Sequence, residues 1–314
     1  MARERISTLG GSARSALVTG GTGFLGSRLV NELVKRGWRI RVLARTRLSA
    51  NHMISDERIE FIQGDIADLA AIDRAVGGVD VVFHLAAEKS VQRCELEPSL
   101  AVATNVIGSW NLLRAASRAR VQRIVAASTD KACEPTGILG LTKSLMERVL
   151  CDPHNALACT AVRLGGILES TGSVLDRWGR TQAEGVITVT DPEMTRFALR
   201  ADEAVALLLA ASDRSGAGEI LAPALFAYRL GDLAAAYASR YRVQLSIVGP
   251  GPGEKSHEQL VSAGEAPRTR REDRVFVITP GRSQPGGGPY SSSDAPRMDA
   301  NAMLDAMSAE RARA

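Results

Sequence analysis

Closely spaced glycines mark the first place where this chain could do chemistry. In Leu17-Val18-Thr19-Gly20-Gly21-Thr22-Gly23-Phe24-Leu25-Gly26 an apolar run gives way to an amphipathic one. Glycine lets the backbone turn tightly there and lets a pyrophosphate approach amides at the positive end of a helix, so Gly20, Thr22, Gly23, Phe24, Leu25 and Gly26 are expected to hold a dinucleotide. An ordinary turn is the plain alternative. About twenty residues further on, an NAD site would carry an acidic residue for the ribose. This chain has Arg45-Thr46-Arg47. Two arginines suit the 2′-phosphate of NADP, or they form a solvated loop pair. Asp65, in Gln63-Gly64-Asp65-Ile66, can accept from an adenine amino group or cap the next helix. Ser128-Thr129-Asp130-Lys131 then places hydroxyls, a carboxyl and an amine at the end of another apolar run. Acid-base chemistry needs such groups in opposite protonation states, and a strand-end salt bridge is the competing reading.

An alternating scaffold is available to position these groups. Short apolar runs at 15–19, 39–44, 59–63, 79–85, 123–127 and 158–164 alternate with amphipathic segments at 23–36, 69–76, 98–118 and 139–150. That pattern predicts an α/β doubly wound parallel sheet of the Rossmann type over 15–170. The order weakens afterwards, with helices at 201–211 and 231–240 and a strand at 243–248. Residues 171–280 therefore read as a smaller C-terminal substrate lobe, able to return strands to the sheet. Residues 1–14 read as a flexible leader, 281–289 as a mobile glycine-rich stretch and 302–313 as a terminal helix.

Composition bounds the function. The 314 residues are 45% apolar and 24% charged, which excludes disorder, and 39 basic against 35 acidic side chains make no dense basic stripe. Nucleic acid is not an expected partner. No stretch approaches the roughly eighteen apolar residues of a membrane span, so a cytoplasmic protein without a membrane partner is expected. Four cysteines and four histidines form no metal spacing, and no metal is expected. All four tyrosines lie at or beyond residue 228.

These features resemble the extended short-chain dehydrogenase/reductases, and further segments narrow the likeness. His84-Leu85-Ala86-Ala87-Glu88-Lys89-Ser90, Thr104-Asn105, Ser128-Thr129-Asp130-Lys131-Ala132, Met194-Thr195-Arg196-Phe197, Pro252-Gly253-Glu254-Lys255-Ser256-His257-Glu258 and Tyr290-Ser291-Ser292-Ser293-Asp294 are similar to the short, soluble type of inverting UDP-N-acetylglucosamine 4,6-dehydratases of polysaccharide synthesis. The likeness spans roughly residues 15–295. It implies an NADP-dependent nucleotide-sugar dehydratase working through a 4-keto intermediate on a UDP-N-acetylhexosamine-like sugar, ending in a 4-keto-6-deoxy sugar, a 5-epimer or a 5,6-ene. An NDP-sugar epimerase and a non-catalytic dinucleotide sensor are the alternatives.

By that resemblance Asp130 protonates the departing hydroxyl, Lys131 takes the C5 proton and Thr129 bonds the C4 oxygen. To be a base, Lys131 needs a pKa well below its ordinary value, which burial and a cofactor charge are expected to supply. Lys143 holds the nicotinamide ribose. Ile66, Leu85, Ala86 and Ala87 line the cofactor, and Lys89, Asn105, Gly166, Arg196 and Glu254 meet the sugar nucleotide, with Arg196 and Glu254 equally readable as surface charges. The tyrosine usual four residues before Lys143 is Leu139 here. Ser90, Gly166 and Gly251 also depart from the pattern, which implies an altered substrate. Cys133, beside the pair, is a candidate reactive thiolate or a packing residue. The helices at 98–118 and 139–150 are those that relatives pair into a dimer, with Trp110, Leu112 and Leu113 as candidates for the contact.

Overall fold

The computed structural model describes residues 14–47, 53–281 and 286–313, with side chains as far as 308. Its first half supplies six strands, β1 (Ser15–Thr19), β2 (Arg39–Ala44), β3 (Ile59–Gln63), β4 (Val81–His84), β5 (Arg123–Thr129) and β6 (Ala158–Leu164). All pair in parallel, in the order β6-β5-β4-β1-β2-β3. β1 is buried throughout because both faces of the sheet are covered. Ala16 and Val18 face a core completed by Leu29, Val30 and Leu33 of helix Phe24–Lys35. Leu17 faces the opposite core with Ile72, Leu112 and Leu113. Strand order reverses between β1 and β4, and a ligand crevice opens at the carboxyl ends of such a pair.

The second half adds β7 (Gly166–Ile167), β8 (Val186–Val189), β9 (Thr195–Leu199), β10 (Glu219–Pro223), β11 (Phe226–Arg229), β12 (Gln244–Ile247), β13 (Gln259–Val261), β14 (Thr269–Glu272), β15 (Val275–Ile278) and β16 (Tyr290–Ser291). β10 joins the main sheet parallel to β6, and β15 and β14 extend it antiparallel to nine strands. Of the remaining short strands, β8, β9 and β11 contribute to a lobe core around Trp178, Tyr237, Leu233, Met303 and Leu304, while β13 and β16 pack against the core of the main sheet. Helix Ala300–Arg313 closes that core against helix Leu230–Tyr241.

Several sequence expectations are revised. β5 runs on to Thr129, so the two hydroxyls lie in the strand and Asp130 begins a short 3₁₀ turn. The helix expected over 98–118 is interrupted by a π-helical turn, Ala103–Ile107, which turns Asn105 inward to complete burial. Leu112 and Leu113 face the sheet core and are unavailable to a partner, whereas Trp110 is exposed. Of the glycine-rich stretch, 282–285 lie outside the described residues, and the Gly287 amide donates to the Thr269 carbonyl (3.1 Å). Most of the expected leader, 1–13, also lies outside them.

Candidate active site

A cleft of about 430 Å³ opens at the strand-order reversal. Gly20, Thr22, Gly23, Phe24, Leu25 and Gly26 line one end, with Arg45, Asp65, Ile66, Leu85, Ala86, Ala87 and Lys89 around it and Thr129, Leu139 and Lys143 at the other end. Gly20 has φ +70°, and a Cβ there would come within 2.8 Å of the Ala86 amide. Only glycine fits both constraints. Gly23 caps helix Phe24–Lys35 with no side-chain hydrogen bond, leaving first-turn amides for a phosphate. The cradle therefore fits a dinucleotide pyrophosphate.

A buried relay braces the floor of this cleft. The Ser109 hydroxyl donates to the Asn105 carbonyl (2.6 Å), so toward His84 Nε2 (2.9 Å) it is left to accept. The neutral ring thus carries its proton on Nε2, and Nδ1 accepts from Thr19 Oγ1 (2.8 Å). Burial, with the Lys143 charge, pushes His84 down to about 3. Thr19 Oγ1 in turn accepts from the Ala86 amide (3.2 Å), holding Ala86 against the glycine turn.

At the end of β5 the reactive candidates come together. Asp130 is buried, accepts from Thr129 Oγ1 (2.9 Å) and lies 3.4 Å from Lys131 Nζ. Lys131 also donates to Glu258 Oε1 at 2.8 Å, across 127 residues of sequence. Burial raises the Asp130 carboxyl above its ordinary value despite Lys131. For Lys131, burial works downward, but the Asp130 and Glu258 carboxylates outweigh it and hold the ammonium above its ordinary value. The expected fall in its pKa is therefore reversed: an opposite charge within hydrogen-bond distance stabilises the ammonium more than desolvation penalises it. Glu258 stays below its usual range because Lys131 and Arg196 overcome its burial.

Lys143 Nζ donates to the Ala127 carbonyl (2.7 Å), and burial brings it down to about 8. Four residues earlier Leu139 packs with Cys94 and Ala101 and lines both the main cleft and a small cavity beside Lys131. Next to Lys143, Ser128 Oγ donates to Glu147 Oε1 (2.6 Å). Arg163 grips both Glu147 oxygens (3.0 and 2.8 Å) and both Glu265 oxygens (2.8 and 2.7 Å). Cys133 donates to Glu265 (3.5 Å), and burial pushes its thiol up to about 12. It is a packing residue, not a ready thiolate.

The other candidates are dispersed. Arg47 lies over the Phe61 ring (4.7 Å) and, unlike Arg45, does not line the cleft. Asp65 accepts from the Ala67 amide (2.9 Å), while Asp68 caps the next helix. Lys89 donates to the Thr171 carbonyl (3.2 Å). Asn105 is fully buried and bonds the Glu88 amide (2.9 Å) and carbonyl (3.0 Å) and Thr142 (3.1 Å), shaping the Glu88–Lys89 segment from behind. Gly166 pairs with Ala198 in the lobe, Arg196 Nε lies 4.0 Å from Glu258, and Glu254 accepts from the Gly251 amide (3.1 Å). Sequence reading missed Glu258, Glu147 and Glu265. Glu258 stood within a segment already singled out, but nothing local marked it as Lys131's partner.

A glycine cradle at the reversal of a parallel sheet, with polar groups at the end of β5, defines an extended short-chain dehydrogenase/reductase. Residues 16–280 match the family described as polysaccharide biosynthesis protein, and the chain belongs to that family. It is 35% identical to the "Uncharacterized membrane protein MJ1061" of Methanocaldococcus jannaschii, covering 85% of this chain and 86% of that one. It is 33% identical to a UDP-glucose 4-epimerase of Rickettsia conorii, over 80% and 79%. The solved structure of Pen from Bacillus thuringiensis superposes with a TM-score of 0.88 at 26% identity, over 95% and 98% of the two chains. A dTDP-glucose 4,6-dehydratase of Streptomyces venezuelae, solved with NAD, shares the fold (TM-score 0.68, 23% identity, 77% and 86% coverage). The chain is thus of the nucleotide-sugar dehydratase and epimerase type. Among the described residues no helix is long and apolar enough to cross a membrane.

Proposed function

We propose that the protein is an NADP-dependent nucleotide-sugar 4,6-dehydratase acting on a UDP-N-acetylhexosamine-like substrate. The Asp130–Lys131 pair carries this reading, a buried carboxyl and an amine 3.4 Å apart at the end of β5. NADP, when bound, supplies the hydride acceptor for C4 of the sugar. Asp130, whose carboxyl is raised by burial, gives its proton to the departing C6 hydroxyl. Lys131, once neutral, takes the C5 proton. Thr129 directs its single hydroxyl proton at Asp130 and accepts from the Lys131 amide (3.3 Å), which leaves one lone pair for the sugar. Mass spectrometry of a mixture with UDP-N-acetylglucosamine is expected to show loss of one water. Such substrates are cytoplasmic metabolites, and the enzyme is assigned to that compartment. A second reading, an NDP-sugar 4-epimerase, is favoured by the names of the Rickettsia relatives. It predicts a product of unchanged mass with inverted C4.

Arg45 is the residue that would bond a 2′-phosphate, since it lines the adenosine end of the cleft. NADP is expected to bind more tightly than NAD by roughly 1–3 kcal/mol, the range of a charge-assisted hydrogen bond. Calorimetry of the wild type, Arg45→Ala and Arg47→Ala tests this. Arg45→Ala should remove most of the preference and Arg47→Ala little, whereas equal wild-type affinities would argue for NAD.

Trp110, Leu141 and Leu145 stand 46%, 51% and 47% exposed on helices Gly108–Arg118 and Ile138–Leu150. Exposed apolar side chains on two adjacent helices support a homodimer built across them. The expected result is a dimer in sedimentation at micromolar concentration and a monomer for Leu141→Glu. A wild-type species of 33.4 kDa would refute it.

A further inference from the structure

An amine must be neutral before it can act as a general base, and the fold holds Lys131 in surroundings that keep it charged. Glu258 Oε1 accepts from its Nζ at 2.8 Å, and Glu258 is only 2% exposed. The lobe fixes the backbone that bears this carboxylate. The Glu258 amide donates to Ser292 Oγ (2.9 Å), the Ser292 amide donates to the Glu258 carbonyl (2.8 Å), and Thr195 Oγ1 shares a hydrogen bond with Ser292 Oγ (2.7 Å). Three separate segments, β9, the strand approach at 256–258 and the turn after β16, thus meet to present one carboxylate. Its other oxygen, Oε2, is buried with no hydrogen-bond partner among the described residues. Lys255 Nζ stands 3.8 Å from it, and Arg196 Nε lies 4.0 Å from Oε1.

We propose that Glu258 is a positioning residue that clamps Lys131 from the C-terminal lobe and sets how readily the Asp130–Lys131 pair converts from carboxylate and ammonium to acid and amine. The inference rests on the dehydratase reading for its chemical meaning, though not for its test. In the charged pair Asp130 is a carboxylate and Lys131 an ammonium. The working pair forms when an Nζ–H bond breaks and an Asp130 O–H bond forms, leaving the electron pair on Nζ. Lys131 then takes the C5 proton and Asp130 gives its proton to the departing hydroxyl, which restores the charged pair. No outside reactant is needed. Glu258 stabilises the ammonium and so opposes the first transfer. The groups that face Lys131 are Asp130 and the Thr129 hydroxyl beside it, Glu258 and Lys255 on the 255–258 segment, Arg196 on β9 and Tyr228 on β11, with Glu95, which accepts from the Ile138 amide, on the wall of the small cavity beside it. Asp130 and Glu258 are the carboxylates within hydrogen-bond distance that favour its charge.

Trace acetylation by acetic anhydride reads the neutral amine directly, with Lys131 quantified by peptide mass spectrometry across a pH series in the full chain. Glu258→Gln is expected to move the Lys131 labelling midpoint down by about one unit or more, the scale of losing an opposite charge at hydrogen-bond distance. Glu258→Asp keeps the charge but withdraws it by one methylene, and should move the midpoint the same way by less. A folded Glu258→Gln with the wild-type midpoint overturns the proposal. Should that variant not fold, an unmoved midpoint in Glu258→Asp does so. In turnover, the descending limb of kcat/KM, where the pair loses its one proton, should shift with the label. A shifted label without water loss from any UDP-sugar would fault the dehydratase reading and leave the role of Glu258 standing.

Discussion

Asp130→Asn and Lys131→Ala are each expected to lower the rate of water loss by about 10²- to 10⁴-fold, the contribution of a positioned acid or base, while NADP affinity stays near that of the wild type. The separation follows from where the groups lie. Neither side chain lines the dinucleotide cleft, whereas Thr129, Leu139 and Lys143 do. Asp130→Asn keeps the shape and the contact with Thr129 Oγ1 but has no transferable proton. Lys131→Ala removes the amine and also strands Glu258, now buried without its hydrogen-bond donor. Lys131→Ala should therefore lose stability as well as rate, and Asp130→Asn chiefly rate. Rapid-quench assay of water loss, with calorimetry for NADP, measures both. A variant of either that eliminates water at the wild-type rate would show the chemistry to lie elsewhere.

What the sequence disclosed and what it hid divide along sequence separation. The glycine turn, the alternation of strands and helices and the Asp130–Lys131 step are local patterns, readable because each residue's neighbours in the chain are also its neighbours in space. The partners that set their behaviour are not. Glu258 reaches Lys131 from 127 residues away, and Glu265 reaches Arg163 from 102. A pKa is a property of such surroundings, so the direction of the Lys131 shift could not be read from the residues beside it. Leu112 and Leu113 failed for a related reason: an amphipathic helix shows its apolar face but not which side of the sheet receives it, and here that face meets Leu17 and Ile72. Arg47 illustrates a finer limit, since a two-residue spacing on a strand exit left open which arginine faces the cleft and which stacks on Phe61.

Arg163→Met is expected to destabilise the protein by about 3–5 kcal/mol, a large part of a domain's usual 5–15. Arg163 and Glu147 side chains are each 2% exposed and Glu265 is 12%, so one guanidinium is shared between two carboxylates that water hardly reaches, with Arg268 3.6 Å from the second. Bidentate contact on both sides uses its planar fork fully, and lysine could not replace it. The triad also joins the helix that carries Lys143 to the residues after β13, so its loss loosens the support of Ser128 through Glu147. The pH dependence gives an independent check. Burial alone would raise the Glu265 pKa, but Arg163 holds it down to about 2, below the ordinary 4.5. A depressed folded-state pKa stabilises above the unfolded value and loses that contribution as pH falls from 4.5 toward 2. In Arg163→Met the burial of Glu265 is opposed only by the Ser262 amide and Arg268, so its pKa rises, and the resulting loss of stability is full at neutral pH and shrinks as the carboxyl is protonated. Urea titrations at neutral and acidic pH should show a lowered midpoint whose gap from the wild type narrows on acidification. Pairing Arg163→Met with Glu147→Gln removes one of the stranded charges and should recover part of the loss. An unchanged midpoint at both pH values would mean that solvent, not the triad, already neutralises these carboxylates.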